Sequence, residues 1–287
     1  MQYAAPTTTE EAARLLASNP KAARVLAGGT DLLVQIRAGM IAPDLLVDIK
    51  KINGIRDITA EGGGYRIGAA VSGAELGEHA GVVAMWPGVV EAVELIGSTQ
   101  VQGRCTMAGN LCNASPAADS VPALVAADAV ARIVGPRGER NVAVLDIPRG
   151  VGKTSLEAGE FITSIYLPKR PDRASDAYLR FIPRTEMDIA VCSAGVSLTL
   201  DSKGIITEAR VALGAVAPTV LLVSEAAKAL IGHKPDDATL AALGKACSDA
   251  CKPIDDKRGT IEFRRDVVAV LAGRAARIAC QRAGGSL

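Results

Sequence analysis

The chain has 287 residues, 49% hydrophobic and 22% charged, which is enough to fold around a sizeable core and too apolar for a disordered chain. A formal net charge of +1 gives no electrostatic footprint for nucleic acid or an acidic membrane surface. No uncharged run is longer than Val211 to Ser224, which falls short of the roughly 20 residues that cross a bilayer and contains Pro218; with Glu10 and Glu11 early and no basic segment ahead of an apolar run, neither membrane insertion nor a secretory signal is expected, and the protein reads as soluble and cytoplasmic.

In chain order, residues 8 to 18 read as a helix, with Thr8 and Glu11 in capping-box spacing and Asn19-Pro20 as its stop. Arg24 to Ala27 is a short strand that runs into Gly28-Gly29. Thr30 or Asp31 then caps a helix carrying Leu32, Leu33 and Ile36 on one side and ending at Gly39, and Leu45 to Ile49 is the next strand. Such a strand–glycine turn–helix–strand unit places amide donors where an anion can rest. Asp48 lies roughly 20 residues past the glycines, as a dinucleotide-binding fingerprint asks, but Thr30 and Leu33 stand where that fingerprint needs glycines, and no run of further βαβ units follows.

From Asn53 the texture changes. Glu61-Gly62-Gly63-Gly64 separates two strands, 55–60 and 65–71, as a hairpin. Helical patterns follow at 73–79 and 89–96, broken by Trp86-Pro87-Gly88. Gly103 to Asp128 is a glycine-bearing loop leading to a helix, with Asp119 or Ser120 as N-cap and Pro122 in the first turn. Strands 129–134 and 141–147 flank the turn Gly135 to Gly138, and 161–167 is another strand. The Pro-rich, charged run 168–176 reads as a linker or domain boundary. Beyond it come strands at 177–183, 190–200 and 205–216, then helices at 224–231, 237–251 and 259–282. In the last helix Val267, Val268, Leu271, Ala275 and Ile278 form a core-facing stripe. The fold class is α+β, with a small βαβ unit at 1–52, a larger, mainly antiparallel domain at 53–172, and a sheet with helices at 173–287.

The candidate chemistry lies in the loops. Val25 to Leu32 and the Gly103 to Asp128 stretch share one design, in which glycines let backbone approach a ligand and free amides favour negative charge; together they suggest a pyrophosphate held between them. A rival phosphate site is Gly150-Val-Gly-Lys-Thr154, which echoes the end of a P-loop. That motif requires a further glycine where Ile147 stands and a helix where the β-like FITSIYL follows, so a flexible loop between strands is the plainer reading. The cysteines (Cys105, Cys112, Cys192, Cys247, Cys251, Cys280) form no C-x-x-C pair, and the two histidines, His79 and His233, have no suggestive neighbours. No metal site and no general acid or base is expected on this chain.

With these motifs in view, the chain resembles the FAD-binding medium subunits of molybdenum hydroxylases, a family that includes xanthine dehydrogenases, carbon monoxide dehydrogenases and N-heterocycle dehydrogenases. The likeness runs through LAGGTDLL, YRIGAAVS, GNLCNASPAAD, GERNVAVLDI, KTSLEAGEFITSIYLP and RTEMDIAV, covering nearly the whole chain. It implies two FAD-holding subdomains of the PCMH type followed by a C-terminal sheet-and-helix domain. It implies further that Val25, Leu26, Ala27, Gly28, Gly29, Thr30, Asp31 and Leu32, with Thr106, Met107, Ala108, Gly109 and Asn110, line the cofactor through backbone amides, and that Asp119 accepts hydrogen bonds from its sugar or ribityl hydroxyls. Ile96, Ile162, Arg180 and Ile189 should lie near the flavin, Ile189 as an apolar cover over the ring. The resemblance also implies partners: a large subunit with the molybdenum cofactor and a small subunit with [2Fe–2S] clusters, arranged as a dimer of heterotrimers. The family pattern has glycines where Cys105 and Ala108 stand, and Thr30 in place of a histidine argues against covalent flavin at that loop. The alternative within the same superfold is a stand-alone flavin oxidoreductase.

Overall fold

The computed structural model describes residues 1–19 and 22–285. The first unit comprises β1 (Gln2–Ala4), α1 (Thr9–Ser18), β2 (Ala23–Leu26), α2 (Leu32–Arg37) and β3 (Leu45–Asp48). Its three strands are parallel in the order β1-β3-β2, with Leu45 opposite both Gln2 and Ala23. The central strand, Leu-Leu-Val-Asp, is buried throughout, which is why it reads as a continuous apolar run rather than an alternating one. β1 was not foreseen, being three residues at the chain start with no periodicity to read. In α1, the Glu11 amide donates to Thr8 Oγ1 (3.2 Å) while Glu11 Oε2 accepts from Thr7 (3.2 Å), so the expected capping box closes one residue early. The expected stop at Pro20 falls outside the described residues.

The expected apolar face of α2 is not a core face. No residue of α2 is buried, and Leu33 and Val34 are exposed. At six residues the helix is too short to bring a stripe onto the sheet; instead Gln35 Nε2 donates to Asn113 Oδ1 (3.0 Å), tying it to the second glycine-bearing stretch.

The second unit adds β4 (Ile58–Glu61), β5 (Gly64–Gly68), α3 (Gly73–Gly77), α4 (Ala80–Met85), α5 (Pro87–Glu94), α6 (Thr99–Gln102), α7 (Met107–Asn113), α8 (Ser120–Ala126), β6 (Val130–Gly135), β7 (Gly138–Ala143), β8 (Pro148–Gly150), β9 (Lys153–Thr154) and β10 (Phe161–Leu167). The main sheet is antiparallel in the order β4-β5-β10-β6-β7, so the last strand in sequence enters its middle. Phe161, Ile162, Ile165 and Leu167 are accordingly buried. β4 and β5 turn through Gly62 and Gly63 at φ +57° and +81°, the left-handed pair that a two-residue hairpin needs.

The third unit is the antiparallel sheet β11 (Ala174–Phe181), β12 (Cys192–Leu200), β13 (Ile206–Gly214) and β14 (Leu221–Leu222), followed by α9 (Ser224–Leu230), α10 (Asp237–Ala250) and α11 (Ile261–Arg282). Val268, Leu271 and Ala275 of the expected α11 stripe are buried in the core of this unit, and Val267 and Ile278 pack at its edge. α8, buried along its whole length, packs on β12 and β13. A Cβ at Gly195 of β12 would lie 2.8 Å from the Pro122 carbonyl oxygen, so glycine there lets the helix approach.

The run 168–176 is not a solvated linker. Arg170 pairs with Asp176 (2.8 Å), their side chains 8% and 3% exposed. The same guanidinium donates to the Met85 carbonyl (2.6 Å) and Ser197 Oγ (3.2 Å) and lies 4.0 Å over the Trp86 ring. Charge and proline content alone do not distinguish such a keystone from a linker, because the partners come from Trp86, Met85 and Ser197, far off in sequence.

Candidate functional site

The two glycine loops meet. Gly28 lies so close to the second loop that a Cβ built on it would fall 1.8 Å from the Arg104 carbonyl oxygen, and Gly29 adopts φ +80°. Between them opens a cleft of about 540 Å³, within the size range of small-molecule sites. The first loop contributes Val25 and Ala27 to Leu32 to its wall, and the second contributes Thr106, Ala108, Gly109 and Asn110; Ile96 and Ile162 supply apolar surface.

The backbone of the first loop is left open. Among the described residues, the amides of Gly28, Gly29, Thr30, Asp31 and Leu32 donate to no protein acceptor. In folded proteins such donors are almost always paired with protein, water or ligand. Asp31, the N-cap residue of α2, makes no side-chain capping bond, so its carboxylate does not quench them.

The second stretch is not the single loop expected ahead of α8: Met107–Asn113 within it is the helix α7. Thr106 caps α7, its Oγ1 accepting from the Gly109 amide (3.0 Å), and the first-turn amides of Met107 and Ala108 have no protein acceptor. Ala108, where the family pattern has glycine, lies in the first turn of α7 without a positive φ, so its Cβ is tolerated. Asn110 does more than line the cleft: its Oδ1 accepts from the Ser120 amide (3.1 Å) and hydroxyl (2.7 Å), so it caps α8.

That finding corrects the expected capping role of Asp119. Asp119 has helical backbone and makes no capping bond. Its Oδ1 accepts from the Tyr178 hydroxyl (3.0 Å) and its Oδ2 from Arg180 Nη1 (2.7 Å). Burial pushes its carboxyl up to about 6 against the opposing pull of Arg180 and Tyr178. Neither Asp119 nor Arg180 is among the residues lining the cleft. Leu26 lies in β2 opposite Asp48, Met107 is buried behind the second loop, and Ile189 is 53% exposed between β11 and β12; these three do not line the cleft either.

A third wall was not assigned from sequence: Leu156 to Phe161, which joins the β8–β9 hairpin to β10, lines the same cleft. Gly159 in this stretch adopts φ +84° and packs against Pro136 and Ala17. Its signal was an isolated glycine just before the central strand. Cys105 also lines the cleft and is 1% exposed. Burial pushes its thiol up, which keeps it protonated and unreactive. Residues 148–154 form the β8–β9 hairpin, leaving no helix N-terminus behind Lys153 for a nucleotide triphosphate. No group of His, Cys, Asp and Glu suited to a metal ion occurs among the described residues, and among them no helix is long and apolar enough to cross a membrane.

These features suit a large cofactor with a doubly charged linker. Loops without Cβ atoms approach it closely, unpaired amides meet the charge, and Ile96, Ile162 and Phe161 offer apolar surface to a ring system.

Comparisons with known proteins agree with this geometry. The family model described as the FAD binding domain in molybdopterin dehydrogenase matches residues 1–170, and that of the CO dehydrogenase flavoprotein C-terminal domain matches residues 177–279. The chain is 31% identical to the xanthine dehydrogenase FAD-binding subunit of Escherichia coli O157:H7, over 99% of this chain and 98% of that protein. It is 31% identical to the carbon monoxide dehydrogenase medium chain of Afipia carboxidovorans, over 98% and 97%. Among solved structures, a chain of the carbon monoxide dehydrogenase of Hydrogenophaga pseudoflava superposes with a TM-score of 0.94 at 30% identity, over 98% of each chain.

Proposed function

Because this chain belongs to the family of FAD-binding subunits of the molybdopterin dehydrogenases and is an FAD-dependent oxidoreductase subunit, we propose that it holds FAD between its two glycine loops and relays electrons inside a larger complex. The observation that carries the placement is the convergence of Gly28 on the Arg104 carbonyl, which brings the open amides of Gly28 to Leu32 and of Ala108 to one cleft.

In this reading the amides of the two loops bind the pyrophosphate. They are fixed by the fold before the ligand arrives, so little reorganisation accompanies binding. Ile96 and Ile162 face the ring system and exclude water, and Ile189 covers it from the exposed segment before β12. Asp119 and Arg180, paired to each other, set the position of the loop that follows Asn110. When bound, FAD supplies two-electron chemistry coupled to one-electron carriers, receiving electrons that a molybdenum centre on a large partner delivers through [2Fe–2S] clusters on a small partner, and passing them to an external acceptor. Protein side chains provide position and electrostatics, and no general acid or base is assigned to this chain.

The assembly proposed is a dimer of heterotrimers working in the cytoplasm. The reducing compartment is supported by the six cysteines, all free and five of them buried. An absorbance spectrum of the co-purified complex tests the whole reading, since it reports flavin and iron–sulfur content together. A flavin-free chain that takes up no FAD on reconstitution overturns it.

A further inference from the structure

We propose that Lys50, which stands outside the cleft, is a positioning residue that aims the Ala27–Gly28 peptide at the cofactor's phosphates. This rests on the FAD reading above and adds to it a residue that no glycine motif contains.

Lys50 follows β3 in a short turn whose neighbour, Ile49, lines the cleft. Its Nζ donates to the Ala27 carbonyl oxygen (2.9 Å) and pairs with Asp48 Oδ1 (2.7 Å). Asp48 in turn is only 7% exposed, receives the Lys50 amide on Oδ1 (3.0 Å) and takes the Tyr3 hydroxyl on Oδ2 (2.7 Å). Both carboxylate oxygens are thus engaged, and the ammonium is held in one place.

The peptide between Ala27 and Gly28 is trans, as all are among the described residues. In a planar trans peptide the carbonyl and the following N–H point in opposite directions. Anchoring the Ala27 oxygen on Lys50 therefore turns the Gly28 N–H away from Lys50. That N–H has no protein acceptor and belongs to a residue that lines the cleft. A cationic donor on the carbonyl also polarises the peptide and strengthens its N–H as a donor. Because Asp48 neutralises Lys50 at 2.7 Å, the lysine offers direction rather than net positive charge.

The test is equilibrium titration of the full 287-residue chain, stripped of flavin, with FAD and separately with riboflavin, which has no phosphate. Lys50→Met is expected to weaken FAD binding by about tenfold or more, the scale of one charge-assisted hydrogen bond, and to change riboflavin binding by less than about twofold. Lys50→Gln, which keeps a side-chain N–H donor one bond shorter than the lysine's, is expected to recover part of the loss, and carries the comparison should Lys50→Met not fold. Equal weakening of both flavins, or unchanged FAD binding in Lys50→Met and Lys50→Gln alike, overturns the assignment alone. An unsubstituted chain that binds neither flavin overturns the parent reading and this assignment with it.

Discussion

At the cleft, the amides of Gly28 to Leu32 and of Ala108 have no protein acceptor. At the seam joining the second and third units, Asp119 gives both oxygens to Tyr178 and Arg180, and Arg170 is gripped by Asp176, Met85, Ser197 and the Trp86 ring. Both regions are polar and both lie beside apolar core. Polar side chains paired with other protein groups hold the fold together, whereas backbone donors without a protein acceptor at a concave wall are available to a ligand. Charge is a poor guide to which is which: the seam has buried ion pairs, and the cleft offers neutral backbone donors.

The largest effect should come from breaking the seam. Arg170→Ala leaves Asp176 buried without its cation and should cost about 3–5 kcal/mol of stability, read by chemical denaturation, with one FAD still bound per folded chain. A loss of flavin at unchanged stability would reverse the roles assigned to seam and cleft. Next is Gly28→Ala, whose Cβ would fall 1.8 Å from the Arg104 carbonyl oxygen. Forcing the loops apart should cost about 1–3 kcal/mol, and FAD affinity should fall by more than about tenfold. Ala108→Gly is its counterpart: it removes a tolerated methyl from α7, costs about 0.5–1 kcal/mol, and should leave FAD affinity unchanged.

A smaller effect is expected in the pH dependence of stability. Asp119 has its folded value raised to about 6 from an ordinary 3.8, so between those values the folded chain holds a proton that the unfolded chain has released. The contribution of this group is therefore present below about 4 and lost as pH rises through about 6. The stability difference between the parent and Asp119→Asn, followed by thermal unfolding from pH 4 to 7, should shrink in that direction; a difference that grows would place the folded value below the unfolded one. Smallest of all is Lys153→Ala. With the segment folded as the β8–β9 hairpin, FAD affinity should stay within about twofold, and any nucleotide binding lost with this lysine would revive the P-loop alternative.

The sequence carried the cleft better than the seam, for a physical reason. Gly28-Gly29 and Gly109 are local signals, because a backbone that must bend or approach closely demands particular residues at that point; the Thr106 cap and the helix it begins were not read. The β4–β5 and β6–β7 hairpins and the α11 stripe were legible for the same reason: turn chemistry and helical period are written in neighbouring residues. Arg170 and Asp119 are defined by what they touch, and Ser197, Trp86 and Tyr178 lie too far along the chain to be paired by inspection. Asn110 shows the limit within one motif. Its presence in the loop was legible, but its capping bond to Ser120 depends on how α7 and α8 fold back on one another. The helix α2 was legible but not which of its faces is covered, and β1 was missed, because six and three residues carry too little period.

The claim that both loops serve one ligand is tested most directly by amide hydrogen exchange on the full chain, with and without FAD. The amides of Gly28 to Leu32 and of Ala108 are expected to slow together, saturating at one FAD per chain, while the amides of β12 in the third unit stay unchanged. Protection confined to one loop, or reached at different FAD concentrations in the two, would contradict it.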